Sequence, residues 1–284
     1  MGIVNVTPDS FADGGLRLDP ARAIEDALAM EADGADILDI GGESTRPGAE
    51  ALSADAELER VLPVLRGLAG HTRAPISIDT YKASVARAAL DCGAAIVNDI
   101  SALRYDPDLA EVVADRRAAV VLMHTRGRSR DMYGEAVYSD VAAEVQRELS
   151  ERLGWAVGRG IARARIVLDP GLGFAKRAEH SFAALAHLGA LAELDRPLLV
   201  GPSRKSFLQA AVGERPPAER EWGTAAAVAA AVLLGAHIVR VHGVREMTQV
   251  VRVADLLRAN SGTSTAEDRC QTVDDHRTPP RRTS

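Results

Sequence analysis

The sequence predicts an α/β fold of the (β/α)8 TIM-barrel class, with long loops at the C-terminal face of the strands. Three observations carry this. Eight short apolar runs, near 2–6, 36–40, 75–79, 94–98, 119–123, 165–169, 197–201 and 237–241, alternate with longer amphipathic stretches. The runs show no in/out alternation, which marks strands buried on both faces, as in a parallel sheet. Eight such units within about 260 residues match the count and size of the barrel. A doubly wound open sheet is the alternative arrangement.

The first helix opens at Asp19-Pro20, an N-cap followed by proline at the first helical position. Its Ile24, Leu28 and Ala32 recur every four residues and predict one apolar face; Gly34 ends it. Asp106-Pro107 repeats the start signal before Leu109, Val112 and Val113. The last helix, from about 245, carries Met247, Val251, Ala254 and Leu257 on one predicted face. One domain therefore spans 1–260. Residues 261–284 are Ser, Thr, Asp, Arg and Pro with almost no large apolar side chain, and are predicted to be a disordered tail.

Composition excludes several classes. The 284 residues are 46% hydrophobic and 26% charged, which is ordinary for a globular chain. A net charge of -6 argues against nucleic acid as the main partner, yet leaves room for a local basic pocket that binds a small anion. The longest apolar run, Thr224 to Ala236, is alanine-rich and far short of a membrane span, and no signal segment precedes Ile3-Val4. Cys92 follows an apolar helical stretch and reads as a buried small hydrophobe, while Cys270 lies in the polar tail. They form no disulfide or metal pattern, so a reducing cytoplasm is expected, with no membrane association.

Polar residues cluster where the strands end. Asn5, Asp39, Asp79, Asn98-Asp99, His124, Asp169, Ser203-Arg204-Lys205, and Arg240 with His242 close or follow successive strands. In a parallel barrel all these ends meet at one mouth. Asp39, Asp79, Asn98 and Asp169 supply acceptors suited to a flat, nitrogen-rich ring. Arg46, Lys205, Arg240 and His242 suit phosphate or carboxylate. Ser203 to Ser206 falls at a predicted helix start, whose free N–H groups would favour an anion. A heterocycle and an anion in one site imply a substrate carrying both. The loops Thr7–Arg17 and Glu43–Ser53 read as lids.

A polar residue at one strand end is ordinarily a helix cap, and Asp99, Asp106 and Asp108 fit that reading. Asp9 and Asp13 fit turns. His124 fits loop orientation, and Arg126, Arg128 and Arg130 fit a solvated loop. His237 and His242, read as sharing one strand face, would make a zinc pair, but no third Cys or His lies nearby, so no zinc is expected. The agreement of seven or eight independent strands outweighs each bland reading.

Asn5-Val6-Thr7-Pro8-Asp9-Ser10-Phe11 and Asp39-Ile40-Gly41-Gly42-Glu43-Ser44-Thr45-Arg46-Pro47-Gly48 match two signatures of one family. Ser77-Ile78-Asp79-Thr80, Val97-Asn98-Asp99-Ile100, Leu122-Met123-His124, Leu168-Asp169-Pro170-Gly171, Gly201-Pro202-Ser203-Arg204-Lys205-Ser206 and Val239-Arg240-Val241-His242 follow in order. From residue 1 to about 258 the chain resembles the dihydropteroate synthases. Its Leu172-Gly173-Phe174-Ala175-Lys176 segment is most similar to actinobacterial members.

That resemblance implies a transferase of folate biosynthesis that joins 6-hydroxymethyl-7,8-dihydropterin diphosphate to p-aminobenzoate. Asp79, Asn98, Ile100, Met123, Asp169, Gly201 and Lys205 would hold the pterin. Asn5, Arg240 and His242 would bind the diphosphate, with Mg²⁺ on Asn5. Thr45, Arg46, Pro47, Phe174 and Ser206 would shape the p-aminobenzoate pocket, where sulfonamides compete. Lys205, Asp79 and Arg240 would carry catalysis, with Asp9 assisting on closure. A cytoplasmic homodimer built on the later helices is also implied.

Two departures stand out. Gly243 replaces the usual Asp after His242, which puts the order of the last loop in doubt. The customary lead-in before the first strand is not represented, which predicts lower stability. Competing readings are a pterin-binding methyltransferase of methyltetrahydrofolate, a catalytically dead paralogue, and a sugar-phosphate barrel. The first does not need Ser-Arg-Lys-Ser with Arg-x-His, the second would have lost Arg46, Lys205 or Arg240, and the third leaves the acidic ring unexplained.

Overall fold

The computed structural model describes residues 1–7, 19–45, 48–128, 130 and 132–261. Eight parallel strands alternate with helices: β1 (Gly2–Asn5), β2 (Leu38–Gly41), β3 (Ile76–Asp79), β4 (Ile96–Asp99), β5 (Ala119–Met123), β6 (Ile166–Asp169), β7 (Leu199–Val200) and β8 (Ile238–Val239). β1 to β6 pair in sequence order, and β7 pairs with β8. Parallel bridges Leu168–Leu198 and Gly2–Val241 join these two sheets at both seams. The Leu168 amide donates to Pro197 O and the Ile3 amide to Val241 O, so the ring of neighbours returns to its start. This is the predicted barrel.

The helices among the described residues are α1 (Pro20–Ala32), α2 (Ala54–Leu68), α3 (Ala83–Asp91), α4 (Leu109–Asp115), α5 (Val141–Gly158), α6 (Ala178–Ala186), the single turn α7 (Gln209–Val212), α8 (Glu221–Leu233) and α9 (Val244–Ser261). Two apolar clusters result. The larger lies between strands and helices, with Leu38, Ile40, Val61, Leu65, Val120, Leu122 and Leu168 at its heart. A smaller one, Met1, Val121 and Leu199 with Ile37, Ile96, Val167 and Ile238 against it, plugs the barrel interior. Successive side chains of a strand face opposite ways. Stepping two residues from that plug therefore reaches Asp39, Asn98, Met123, Asp169, Gly201 and Arg240. The interior is apolar below and polar above, and the polar level is the mouth.

Several local expectations change. Asp19 does cap α1, accepting from the Ala21 amide at 2.9 Å. The buried stripe of α1, however, centres on Ala23 and Ala27, with Ile24 and Leu28 only half-buried and Ala32 exposed. Asp106 does not open α4, which starts after Asp108. Its Oδ2 instead accepts from the Ala83 amide at 2.7 Å and caps α3, whose own N-cap residue Lys82 makes no side-chain cap bond. Asp99 organises the turn after β4, accepting from the Ser101 amide at 2.8 Å and the Leu103 amide at 2.5 Å. Cys92 is half-buried rather than buried and packs on the core rim. On α9, Met247 and Ala254 face inward, but Leu257 is exposed. Ser261, placed in the tail by composition, ends α9. The remaining tail residues 262–284, and Asp9, Asp13, Arg46 and Pro47, lie outside the described residues. No helix of the described residues is long and apolar enough to cross a membrane.

Candidate active site

Strand register builds the mouth. Asn5 pairs with Gly41, Gly41 with Asp79, and Asp79 with Asn98, so three predicted site residues stand in one row. Met123 pairs with Asp169 on the far side. Gly41 keeps that row close, because a Cβ there would sit 3.4 Å from Asp79 Cβ.

Arg240, at the end of β8, ties the row together. Its Nε donates to Asp39 Oδ2 at 2.6 Å and its Nη2 to Asp79 Oδ2 at 2.7 Å. Asn98 Nδ2 donates to the same Asp39 oxygen at 3.0 Å. Asp39 is fully buried, and its Oδ1 has no hydrogen-bond partner among the described residues. Two carboxylates thus share one guanidinium. Burial raises the Asp79 carboxyl to about 7; Arg240 opposes the rise and Asp39 adds to it. Burial works against the Arg240 charge as well, but Asp39 and Asp79 more than offset it and hold its pKa above the ordinary value.

Lys205 completes the other half. Its ammonium donates to the Leu172 carbonyl and lies 4.6 Å from the centre of the Phe174 ring. Burial lowers its pKa to about 8, with Asp169 pulling the other way and Arg240 adding to the drop. Asp169 is itself pushed up by burial, against the attraction of Lys205. Asp169 Oδ1 accepts from the Gly171 amide at 2.7 Å and so shapes the turn that leads to Phe174.

The expected residues divide accordingly. Asp79, Asn98 and Arg240 are joined directly with Asp39; on the other side Lys205 lies over Phe174 and is attracted by Asp169. Gly201 lies between them, since a Cβ there would be 3.7 Å from Arg240 Cβ and 4.0 Å from Lys205 Nζ. Ile100 and Met123 are buried beside the strand ends. Asn5 is half-buried at the end of β1. Thr45 is half-buried and Ser206 exposed, and neither is hydrogen-bonded to the acidic row among the described residues. Two open clefts lie outside the acidic row, one of about 240 Å³ by Thr7, Glu43, Ser44 and Arg60, and one of about 270 Å³ between α1 and the start of α9, by Asp26, Asp33, His242 and Gly243. Neither contains the acidic row, so convergent chemistry rather than cavity size locates the site.

His242 Nδ1 is 2.9 Å from Ser203 Oγ, whereas His237 Nδ1 accepts from the Leu198 amide at the opposite end of the barrel. Five residues apart, the two histidines share no face, and the zinc pair has no geometry. Ser203 to Ser206 does not start a long helix either. A 3₁₀ turn follows, and the Arg204 amide is already taken by Thr224 Oγ1 at 3.0 Å. Arg204 itself turns outward to Glu221. Arg126 is not a solvated loop residue: it pairs with Glu144 and Glu148 and stacks 4.1 Å from the Tyr138 ring. Gly243 is accommodated, since a Cβ there would meet Glu246 Oε2 at 3.2 Å and Glu221 Oε1 at 3.5 Å. An aspartate would place a third carboxylate between two.

Sequence reasoning counted Asp39 among the acceptors for a flat ring, whereas its Oδ2 is taken up by Arg240 and Asn98, so that it anchors Arg240 instead. It missed Glu57 and Lys82 altogether. Lys82 bridges Glu43 and the buried Glu57, fastening the start of the β2–α2 loop to α2. A glutamate in the first turn of a helix carries no signal of burial; only the meeting of α2 with the loops after β2 and β3 produces it.

A family model described as pterin binding enzyme matches residues 1–242. The chain is 47% identical to a dihydropteroate synthase of Synechocystis sp. over 257 residues, 90% of this chain and 89% of that one. A solved Xanthomonas albilineans dihydropteroate synthase with 4-aminobenzoic acid superposes with a TM-score of 0.85 at 44% identity, covering 91% of this chain and 92% of that one. A Yersinia pestis dihydropteroate synthase in a sulfonamide drug complex gives a TM-score of 0.86 at 39% identity, covering 91% and 93%.

Proposed function

The chain belongs to the pterin-binding enzymes and, within them, to the dihydropteroate synthases, and from that premise we propose how its own residues work. The enzyme is a transferase of folate biosynthesis. It joins 6-hydroxymethyl-7,8-dihydropterin diphosphate to p-aminobenzoate, giving 7,8-dihydropteroate and diphosphate. The observation that carries the residue assignment is the shared pairing of Asp39 and Asp79 with Arg240, beside a Lys205 that Asp169 attracts.

Asp79, Asn98 and Asp169 present acceptors to the N–H edge of the pterin, and Lys205 donates to a ring acceptor. Ile100, Met123 and Gly201 flank the ring. Arg240 uses Nε and Nη2 on its own carboxylates, so Nη1 faces the diphosphate, with His242 and Asn5 alongside. The arylamine nitrogen forms a bond to the pterin methylene carbon as the carbon–oxygen bond to diphosphate breaks. The electron pair leaves with the diphosphate, and the nitrogen releases a proton. A neutral aniline is already nucleophilic, so positioning and stabilisation of the leaving group dominate. Thr45, Arg46, Pro47, Phe174 and Ser206 surround the arylamine, and sulfonamides occupy that pocket. Asp9 assists when the first loop closes.

Mg²⁺ fits this donor set. No group of three or more His, Cys, Asp or Glu among the described residues forms a ready-made metal cage. That suits an ion that keeps its waters and binds mostly phosphate oxygens with one neutral protein ligand, the Asn5 amide oxygen. When bound it would neutralise charge gathering on the departing diphosphate.

Diphosphate release from the purified chain with dihydropterin diphosphate and Mg²⁺ tests this reading. Release should require p-aminobenzoate and be blocked by a sulfonamide; release indifferent to both would refute it. The kcat/KM profile should also peak between about pH 7 and about pH 8, where Asp79 is ionised and Lys205 still protonated. A profile flat from about pH 6 to about pH 9 would contradict these roles.

A cytoplasmic homodimer is the assembly we favour, with the unpaired Cys92 in keeping with a reducing compartment. Trp222 and Leu233 are three turns apart on one side of α8, and Val253, Leu256 and Leu257 run along α9; all five are exposed. Exposed apolar side chains on these two helices suit a two-fold contact. Leu256→Asp should therefore shift sedimentation toward the monomer, and an unchanged sedimentation coefficient would reject this face.

A further inference from the structure

The loop after β6 is pinned by a buried lysine that the reaction does not use directly. Lys176 is 1% exposed. Its Nζ lies 2.7 Å from His124 Nδ1 and donates to the Phe174 carbonyl at 3.1 Å. The Glu148 carboxylate only accepts, so His124 Nε2–H donates to its Oε2 at 3.0 Å and Nδ1 accepts from Lys176 Nζ. Burial lowers His124 to about 4, consistent with a neutral ring. Glu148 is held by Arg126, which stacks on Tyr138. The Tyr138 hydroxyl then donates to the Ala175 carbonyl at 3.0 Å, beside Lys176. Ala175 has a φ of 47°, an unfavourable backbone state for a residue with a Cβ. Two contacts thus grip the strained segment 174–176, one through Lys176 and one through Tyr138, and the His124–Glu148–Arg126 chain joins them. The Phe174 ring at its head faces the Lys205 ammonium.

We propose that Lys176 is a positioning residue for the arylamine half of the reaction: its Nζ fastens the Phe174 wall of the second pocket to the end of β5 through His124. The role rests on the synthase reading given above. It differs from the pterin and diphosphate contacts because Lys176 touches neither, and its effect should appear on one substrate only. The charged groups around it are Asp169 on β6, Glu148 on α5, Arg126 after β5 and Lys205 after β7. Among the described residues no carboxylate hydrogen-bonds it directly; burial lowers its pKa to about 7, against the attraction of Asp169, and the lysine is held by geometry rather than by a counter-ion.

Steady-state kinetics with both substrates varied tests this. Lys176→Met keeps the length and removes the donor. It should raise KM for p-aminobenzoate and the sulfonamide inhibition constant on the order of tenfold, with KM for the dihydropterin diphosphate changed by less than about twofold. Lys176→Arg should recover part of the loss. Both KM values unchanged, or raised in parallel, would overturn the proposal even if the melting temperature falls. Should Lys176→Met not fold, His124→Leu, which removes the acceptor, must produce the same one-sided change or the proposal fails. Wild-type chain without p-aminobenzoate-dependent diphosphate release would instead strike the synthase reading itself.

Discussion

Lys205→Ala is expected to lower kcat/KM by about 10³-fold, roughly 4 kcal/mol, with little change in thermal stability. The residue sits where both halves of the mouth meet. Its ammonium donates to Leu172 O, faces the Phe174 ring, and is attracted by Asp169 and Asp79. Removing it costs the pterin a charged donor and takes from Asp169 the cation that attracts it most. The fold has less to lose. Burial already disfavours this charge, as its lowered pKa shows, and Asp169 keeps the Gly171 amide as a partner. Lys205→Arg should not restore turnover. The stem is confined, with the position of a Gly173 Cβ only 3.3 Å from Lys205 Cδ, and a planar guanidinium needs more room. Kinetics paired with a thermal melt check both parts. Near-normal turnover in the alanine variant would remove Lys205 from the site.

Gly171→Ala should destabilise the fold by about 3 kcal/mol or more, and this effect is on folding before it is on chemistry. Gly171 has a φ of 67°, and a Cβ there would lie 2.0 Å from the His124 carbonyl oxygen. That neighbour is backbone, so it has no rotamer to move into. The loop would have to lift off the end of β5, breaking the Gly171 amide bond to Asp169. Phe174, Lys176 and His124 would be displaced with it. Denaturant unfolding measures the loss directly. A variant within about 1 kcal/mol of wild type would show that this turn relaxes far more easily than its contacts indicate.

Much of this was legible in the residues. Eight apolar runs, the Asp19-Pro20 start and the polar residue closing each strand led to the barrel and its mouth. The prediction of unbroken apolar strands needed refinement. Inward positions do alternate with outward ones, but the inward side is itself apolar at the plug and polar only at the top, so short strands conceal the period. Helix faces shifted too, as at Ala32 and Leu257, because an amphipathic pattern fixes a face only to within a residue or so. Asp106 shows a deeper limit. Its neighbours announce a helix start at 107, yet its carboxylate caps a helix 23 residues earlier.

The sequence by itself determined the barrel, the level at which polar groups gather, and, through family motifs, the reaction. These follow from local periodicity and from short segments whose chemistry reads in place. Only the tertiary structure decided how the charges are shared. Arg240 joins carboxylates 201 and 161 residues away, and Lys176 meets a histidine 52 residues away. A buried charge persists only where partners converge at hydrogen-bond distance, and that convergence is set by strand register and ring closure rather than by any spacing along the chain.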